Sequence, residues 1–282
     1  MSAGLHAWVG RTRRVADEMA APLVRRMAAL TDRGEVPLDR GAPVPNHWLC
    51  MLFDDAAPQA ALGPDGHPAK GDFLPPVPLP RRMLGGRRLT YHSAPRVGDA
   101  LERETEIASI TPKKGRSGEL VFVTLRHRII RAGDLLAVEE QDIAYLEAKR
   151  EGDAPAPQAA PGKPEAAWRE SFLPDPVMLF RYSALAFNGH RIHYDADYAR
   201  GAEGYPALVV NGGVTTLFLL EAALRRQPGA QVLSTDARTL KPLFCGQPAA
   251  LCGTAPDAAG HCQLWAEDAA GMTALRIQAR IG

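Results

Sequence analysis

Residues 150–167, REGDAPAPQAAPGKPEAA, contain no large apolar side chain, and none stands anywhere between Leu146 and Trp168. Such a stretch has nothing to bury in a core, so it is predicted to be an extended linker or a surface crossing. It divides the 282 residues into an N-terminal part, 1–150, a linker, 151–167, and a C-terminal part, 168–282. At roughly 150 residues per domain, that division suits the length. Each part also ends alike. ALERETEIASI (100–110), ELVFVTLRHRII (119–130) and LLAVEEQDIAYL (135–146) read as an antiparallel meander with Gly-containing turns. QVLSTDARTL (231–240), AALCG (249–253), HCQLWAE (261–267) and MTALRIQARI (272–281) repeat the arrangement. In the last, Leu275, Ile277, Ala279 and Ile281 fall on one face. A short Pro-to-Gly turn precedes each meander, Pro95–Gly98 in one part and Pro242–Gly246 in the other, which suggests duplication.

Between these strands the C-terminal part carries one convincing helix, within LVVNGGVTTLFLLEAALRRQPG (208–229). It is apolar on nearly all sides from Val214 to Leu224, as a buried helix is, and Pro228-Gly229 ends it. Gly212 and Gly213 at its start leave the backbone N–H groups approachable. In the N-terminal part, Val15 to Leu30 reads as an amphipathic helix. Residues 41–91 read as irregular, with four prolines in GDFLPPVPLPRRMLGG that argue against a central strand there.

Composition excludes several classes. Thirty-three basic against 32 acidic residues leave +1, so no nucleic-acid partner is expected. No apolar run approaches the ~18 residues of a membrane span. Cys50, Cys245, Cys252 and Cys262 form no CxxC pair and are expected to be reduced thiols. The cytoplasm is the default location. Arg11, Arg13 and Arg14 before the first acid, Asp17, leave a mitochondrial transit segment as the alternative.

The densest polar cluster is RYSALAFNGHRIHYDADYA (181–199), with Asn188, His190, Arg191, His193, Tyr194 and Asp195 in eight residues. It precedes the glycine-led helix by 15–20 residues, and a base near a helix N-terminus suits stabilisation of an oxyanion. There is no P-loop, GxGxxG, GxSxG or HExxH. His190, His193 and Asp195 make an incomplete ligand set, so no metal is expected. Acid–base chemistry by histidine fits best, its ordinary pKa of about 6.5 suiting proton transfer near neutrality.

FNGHRIHYDADYA resembles the signature of MaoC-like, R-specific enoyl-CoA hydratases, and EGYPALVVNGG resembles the entry to that family's central helix. NHWLCMLF, GDFLPPVPLPRRMLGGRRLTYH and TLKPLFCGQP resemble recurring segments of its two-hot-dog subgroup, which includes mesaconyl-C4-CoA and itaconyl-CoA hydratases and mitochondrial 3-hydroxyacyl-thioester dehydratases. The resemblance covers most of residues 45–282. It implies an α+β double hot-dog fold, with antiparallel sheets each wrapped round a central helix, and reversible hydration of an enoyl thioester without a cofactor. His193 falls on the family's catalytic His. Asn188 falls where the larger family has Asp, and Asn211 where relatives often carry His.

The resemblance further implies that His193 takes a proton from water, Asn188 holds that water, and Gly212 and Gly213 N–H groups hold the thioester oxygen. His190 and Arg191 are expected to face substrate. Arg191 either binds a free carboxylate on the acyl group, such as a C4-dicarboxylic substrate carries, or makes a surface or subunit-interface salt bridge. Arg81, Arg82, Arg87 and Arg88 are read as loop residues that meet the phosphates of a CoA or acyl-carrier arm, or are merely solvated. The N-terminal half lacks an equivalent spacing and is expected to be non-catalytic, with a homodimer as the assembly. Thioester hydrolysis and non-catalytic acyl-CoA binding are the competing classes.

Overall fold

The computed structural model describes residues 2–53, 56–68, 73–115, 118–147 and 164–282. Alternation with a period of two sets most of its architecture. Leu275, Ile277, Ala279 and Ile281 are all buried on one face of their strand, and arginines or glutamine intervene. The N-terminal half runs α1 (Ser2–His6), β1 (Thr12–Glu18), α2 (Ala21–Thr31), β2 (Arg81–Tyr91), β3 (Ala100–Gly115), β4 (Gly118–Arg131) and β5 (Asp134–Leu146). The C-terminal half runs β6 (Trp168–Phe172), α3 (Pro176–Leu185), α4 (Ala196–Gly201), α5 (Gly212–Arg225), β7 (Val232–Thr239), β8 (Ala249–Gly253), β9 (His261–Glu267) and β10 (Thr273–Ile281). Short 3₁₀ turns span Asn46–Met51, Gln59–Ala61 and Arg191–His193. Of the expected linker, residues 151–163 lie outside the described residues.

All ten strands join one antiparallel sheet in the order β1-β3-β4-β5-β2-β7-β10-β9-β8-β6. Read from either edge, each half places its strands first, third, fourth, fifth, second. The sequence duplication is thus visible as identical topology. The halves meet where their second strands pair, from Arg87 opposite Ala237 to Thr90 opposite Ser234. The paired Pro-to-Gly turns also match: Gly98 (φ +79°) leads into β3 and Gly246 (φ +77°) into β8. Both turn in the left-handed region that glycine enters without a side-chain clash.

The α5 helix packs on β7 to β10. Its Leu217, Leu219 and Leu220 share a core with Val24, Met27 and Leu30 of α2 and with Leu101, Ile129 and Leu136 of β3 to β5. A second cluster sits under the Pro-rich segment. There Phe73, Val77 and Leu79 cover Ile107, Val121, Val123, Ile143 and Tyr145, so that segment lids one end of the first half-sheet.

Two sequence readings are corrected. The helix expected over Val15–Leu30 is a strand up to Glu18, and the helix begins only at Ala21. Thr12–Glu18 alternates exposed and half-buried positions against β3, and Pro22 fits the first turn of a helix but not its interior. The segment judged unable to form a central strand does form one from Arg81, between β5 and β7. Every proline in it precedes that residue, so no ladder donor is lost. A bulge between Leu84 and Gly86 absorbs one residue of β2 against β5.

Candidate active site

The turn that carries His193 is braced from both ends. After α3, the Asn188 side-chain oxygen accepts the His190 N–H at 3.0 Å. Beyond His193, Asp195 caps α4 by accepting the Tyr198 N–H at 3.0 Å. Alongside, Val209 donates its N–H to the Ile192 carbonyl at 3.0 Å, and its own carbonyl accepts from His193 Nδ1 at 2.7 Å. This second bond fixes the tautomer: Nδ1 carries the proton and Nε2 keeps the lone pair. Val209 lies three residues before Gly212, so at most about 10 Å of chain separates the anchor of the imidazole from the start of α5.

His193 is only 7% exposed. Burial, with a smaller contribution from the charge of His67, pushes its pKa below the ordinary histidine value against the opposing pull of the Val209 bond. His190 stands edge-on to it, ring centroids 5.2 Å apart. Burial first, then the neighbouring His67, His193 and Arg82, hold His190 down to about 3. Both rings are therefore neutral at pH 7, as a base and its polar neighbour must be if one is to accept a proton.

At α5, Asn211 is the N-cap, and its side-chain oxygen accepts the Gly213 N–H at 2.7 Å. Its role is thus to close the helix. The expectation of two open glycine donors is corrected accordingly. Gly213 N–H is already occupied, whereas among the described residues the Gly212 N–H has no acceptor. Gly213 still cannot be replaced freely, because a Cβ there would lie 1.8 Å from Tyr182 Oη of α3.

A cleft of about 2190 Å³ opens over these residues and is lined by Asn188, His190, His193, Gly212, Gly213 and Tyr182 among others. A narrow slot of about 70 Å³ continues from it past the α5 N-terminus, walled by Leu84, Leu89, Leu217, Leu220 and Leu275. An open mouth followed by an apolar slot suits a molecule with a polar carrier and a short hydrocarbon end.

The remaining site expectations fall differently. Arg191 gives Nε and Nη2 to Asp195, at 3.0 and 2.7 Å, and Nη1 to the Pro64 carbonyl at 2.9 Å. It also lies over Tyr198 at 4.1 Å. Three of its five donors, and the edge that would pair with a carboxylate, are used within the protein, so it stands as the intramolecular salt bridge of the two alternatives. Asp195 is likewise committed to Arg191 and the α4 cap. Arg81 and Arg82 line the cleft, but from strand β2 and not from a loop. Arg88 is paired on β5 with Asp142 at 2.7 Å and Glu140 at 3.3 Å.

Sequence reasoning missed His67. A loop of the N-terminal half, held by the Leu62–Pro68 bridge, brings its ring to 4.0 Å from that of His190. Asp65 bonds His67 at 3.2 Å, and its carbonyl accepts the Arg191 N–H. Asp65, His67 and His190 offer donor atoms within 4.8 Å of one another, so they are the described residues able to hold a metal ion. Separated by more than 120 residues, His67 and His190 give no local spacing that a motif search could find.

Comparison with known proteins places this geometry in context. Residues 46–245 match the family model for hydroxyacyl-thioester dehydratase type 2. The chain is 42% identical over 243 residues to the mesaconyl-C(4)-CoA hydratase of Chloroflexus aurantiacus, covering 86% of each protein. A MaoC-like dehydratase from Phytophthora capsici superposes with a TM-score of 0.68 at 16% identity, covering 96% of this chain and 95% of that one. A double hot-dog protein from Mycobacterium tuberculosis gives 0.62 at 16% identity, with 97% and 96% covered. The two solved structures bear on fold alone, and they agree with the double hot-dog expectation.

Proposed function

Because this chain belongs to the hydroxyacyl-thioester dehydratase type 2 family, and is therefore a hydro-lyase of acyl-CoA thioesters, we propose that His193 is the base that adds water reversibly across an α,β-unsaturated acyl-CoA. The observation that carries this reading is the buried imidazole, held by Val209 with Nε2 as its basic nitrogen, in the cleft that also holds the α5 N-terminus. His193 Nε2 takes a proton from water as the oxygen attacks Cβ. Electrons move to the thioester oxygen, which becomes an enolate held by the Gly212 N–H and the positive end of α5. The imidazolium then returns a proton to Cα, giving the 3-hydroxyacyl thioester. Dehydration runs these steps backwards. Asn188 positions the water through its amide NH₂, since its oxygen is engaged by His190 N–H. His190 is a neutral wall beside the acyl group.

The reading calls for no cofactor, since the thioester already acidifies Cα. The carrier is CoA or an acyl-carrier arm, and Arg81 and Arg82, which line the cleft, meet its phosphates; their position on the cleft wall supports this. The acyl group itself is dicarboxylic, of the mesaconyl kind. With crotonyl-CoA and mesaconyl-C4-CoA as substrates, the conjugated-thioester absorbance is expected to fall while no free thiol is released. Release of CoA-SH in step with that fall would replace the lyase reading by hydrolysis, and binding without either change would leave only an acyl-CoA binder.

No helix among the described residues is long and apolar enough to cross a membrane. We place the protein in the cytoplasm, as a homodimer. The support for the dimer is an apolar surface at α3, where Leu173, Val177, Phe180 and Phe187 are more than half exposed. Light scattering should give twice the 30.4 kDa of one chain, and a monomer mass at micromolar concentration overturns the dimer.

A further inference from the structure

Arg87 is the one charged side chain on the wall shared by the cleft and the slot. It stands on β2 opposite Gln141 of β5. Its Nε donates to Glu139 at 2.6 Å, and among the described residues no other acceptor bonds to its two terminal nitrogens. The side chain is 32% exposed while its partner carboxylate is only 9% exposed. Its charge interacts with the Tyr182 hydroxyl, the same hydroxyl that a Cβ added at Gly213 would meet. The guanidinium therefore faces the cavity a short way from the α5 N-terminus, with a planar pair of N–H donors unused.

That arrangement has a chemical meaning. An Arg held at Nε keeps its terminal edge fixed, and that edge matches a carboxylate with two parallel hydrogen bonds. Glu139 sets the orientation through Nε, and the two terminal nitrogens keep their N–H groups for a second acceptor. If only hydrocarbon filled the slot, the terminal donors would be stripped of water with nothing in return, which disfavours such a ligand. The other lining residues are mainly leucines, threonines and glycines, with Cys50, Tyr91 and Ala237; there is no second Lys or Arg among them, and His47 is bonded to Glu221 at 2.8 Å.

We propose that Arg87 is the specificity residue for a free carboxylate on the acyl chain, so that the substrate is the thioester of an unsaturated dicarboxylic acid. This rests on the hydration reading above and supplies the residue that the sequence had sought in Arg191. The oxygen of the thioester lies on the Gly212 N–H, and the far carboxylate lies on Arg87, so the acyl group is held at both ends across the slot.

The test compares kcat/KM for mesaconyl-C4-CoA, whose acyl group ends in a carboxylate, with that for crotonyl-CoA, whose acyl group does not. Wild type is expected to prefer the former by at least 100-fold, and Arg87→Met should cut that ratio by at least 50-fold, with Arg87→Lys between the two. Equal proportional losses on both substrates, or no preference in wild type, overturns the proposal. Should Arg87→Met fold poorly by circular dichroism, the Arg87→Met/Glu139→Gln double variant removes the stranded buried carboxylate. A second measurement needs no variant: as unreactive competitors of wild type, succinyl-CoA is expected to bind at least 30-fold more tightly than butyryl-CoA. Equal affinity overturns the carboxylate subsite. If that preference holds but no enoyl-CoA is hydrated, the subsite stands and the lyase reading is what fails.

Discussion

His193→Ala is expected to lower kcat/KM for enoyl-CoA hydration by a factor of about 10²–10⁴, the usual contribution of one positioned general base. The direction follows from geometry. Nδ1 is spent on Val209, so Nε2 is the ring's remaining basic atom. His190 is close, but it is held so far toward its neutral form that it is a poor proton acceptor. Asn188 and Asn211 are amides with no basic site. The folded state should survive the change, since the variant gives up one buried hydrogen bond worth about 1 kcal/mol and some packing. Turnover above a tenth of wild type, in a variant with a native circular dichroism spectrum, removes His193 from the role. The pH profile offers the same test without mutation. A base works when unprotonated, and burial lowers the His193 pKa, so kcat/KM should stay on its plateau as pH drops through 6.5 and fall only in more acid solution. An acid limb at or above pH 6.5 contradicts the buried-base assignment.

The largest effect on stability is expected at Glu221, in the middle of α5 and 1% exposed. Its carboxylate accepts from Arg33 Nη1 at 2.7 Å, Trp48 Nε1 at 2.8 Å and the His47 ring at 2.8 Å. All three partners come from the N-terminal half, so one buried anion ties the central helix of one half to the loop and helix end of the other. Burial alone would raise its pKa. The His47 bond and charge, then Arg33 and Trp48, outweigh that and bring it to about 2. Glu221→Ala strands the buried Trp48 and His47 donors, and breaking a buried ionic cluster of this sort costs about 3–5 kcal/mol. At roughly 2–4 °C per kcal/mol, the melting temperature should fall by about 10 °C. The sign with pH also follows. The depressed folded pKa gives stability that is present above the unfolded carboxylate pKa and is lost as pH falls toward about 2. Glu221→Gln should therefore flatten the decline of stability between about pH 4.5 and 2, and an unchanged acid profile would show that the cluster contributes nothing.

Much of this molecule was legible from local pattern. Strands β8 and β9 have the predicted ends, and β3, β4, β5, β7 and β10 differ by a few residues, because strict alternation and Gly turns mark them. The glycine-led helix was visible because few sequences are apolar on all sides for eleven residues unless they are buried. The errors arose where two signals overlapped. Val15–Leu30 runs a strand into a helix, and the spacing of its apolar residues blends both periods. In 73–91, prolines in the first half of the segment hid a strand in the second. The site divides in the same way. His193 and the glycines were legible as a motif and a helix start. The partners that set their chemistry were not: the Val209 carbonyl is backbone, the Asn211 cap depends on a helix boundary, and His67 and Arg87 reach the cleft only through the pairing of the halves. Arg191 meets Asp195 four residues on and the Pro64 carbonyl from the other half, and only the first of these partners is local.

The bulge in β2 acts as a parity shift. On β5, Gln141, Ile143 and Tyr145 are alternate residues and so share one side of the sheet; their partners on β2 are Arg87, Leu84 and Arg82. Arg87 and Arg82 are five apart, an odd number, and in an unbroken strand they would project in opposite directions. The additional residue at Gly85 brings them to the same side. Deleting Gly85 would leave Arg82 and Arg87 four apart and still on one side, whereas taking Gly85 into the ladder opposite Ile143 would put Met83 opposite Tyr145 and turn Arg82 outward. In this fold, a one-residue slip in the pairing of a strand is a route to new selectivity that leaves every side chain's identity unchanged.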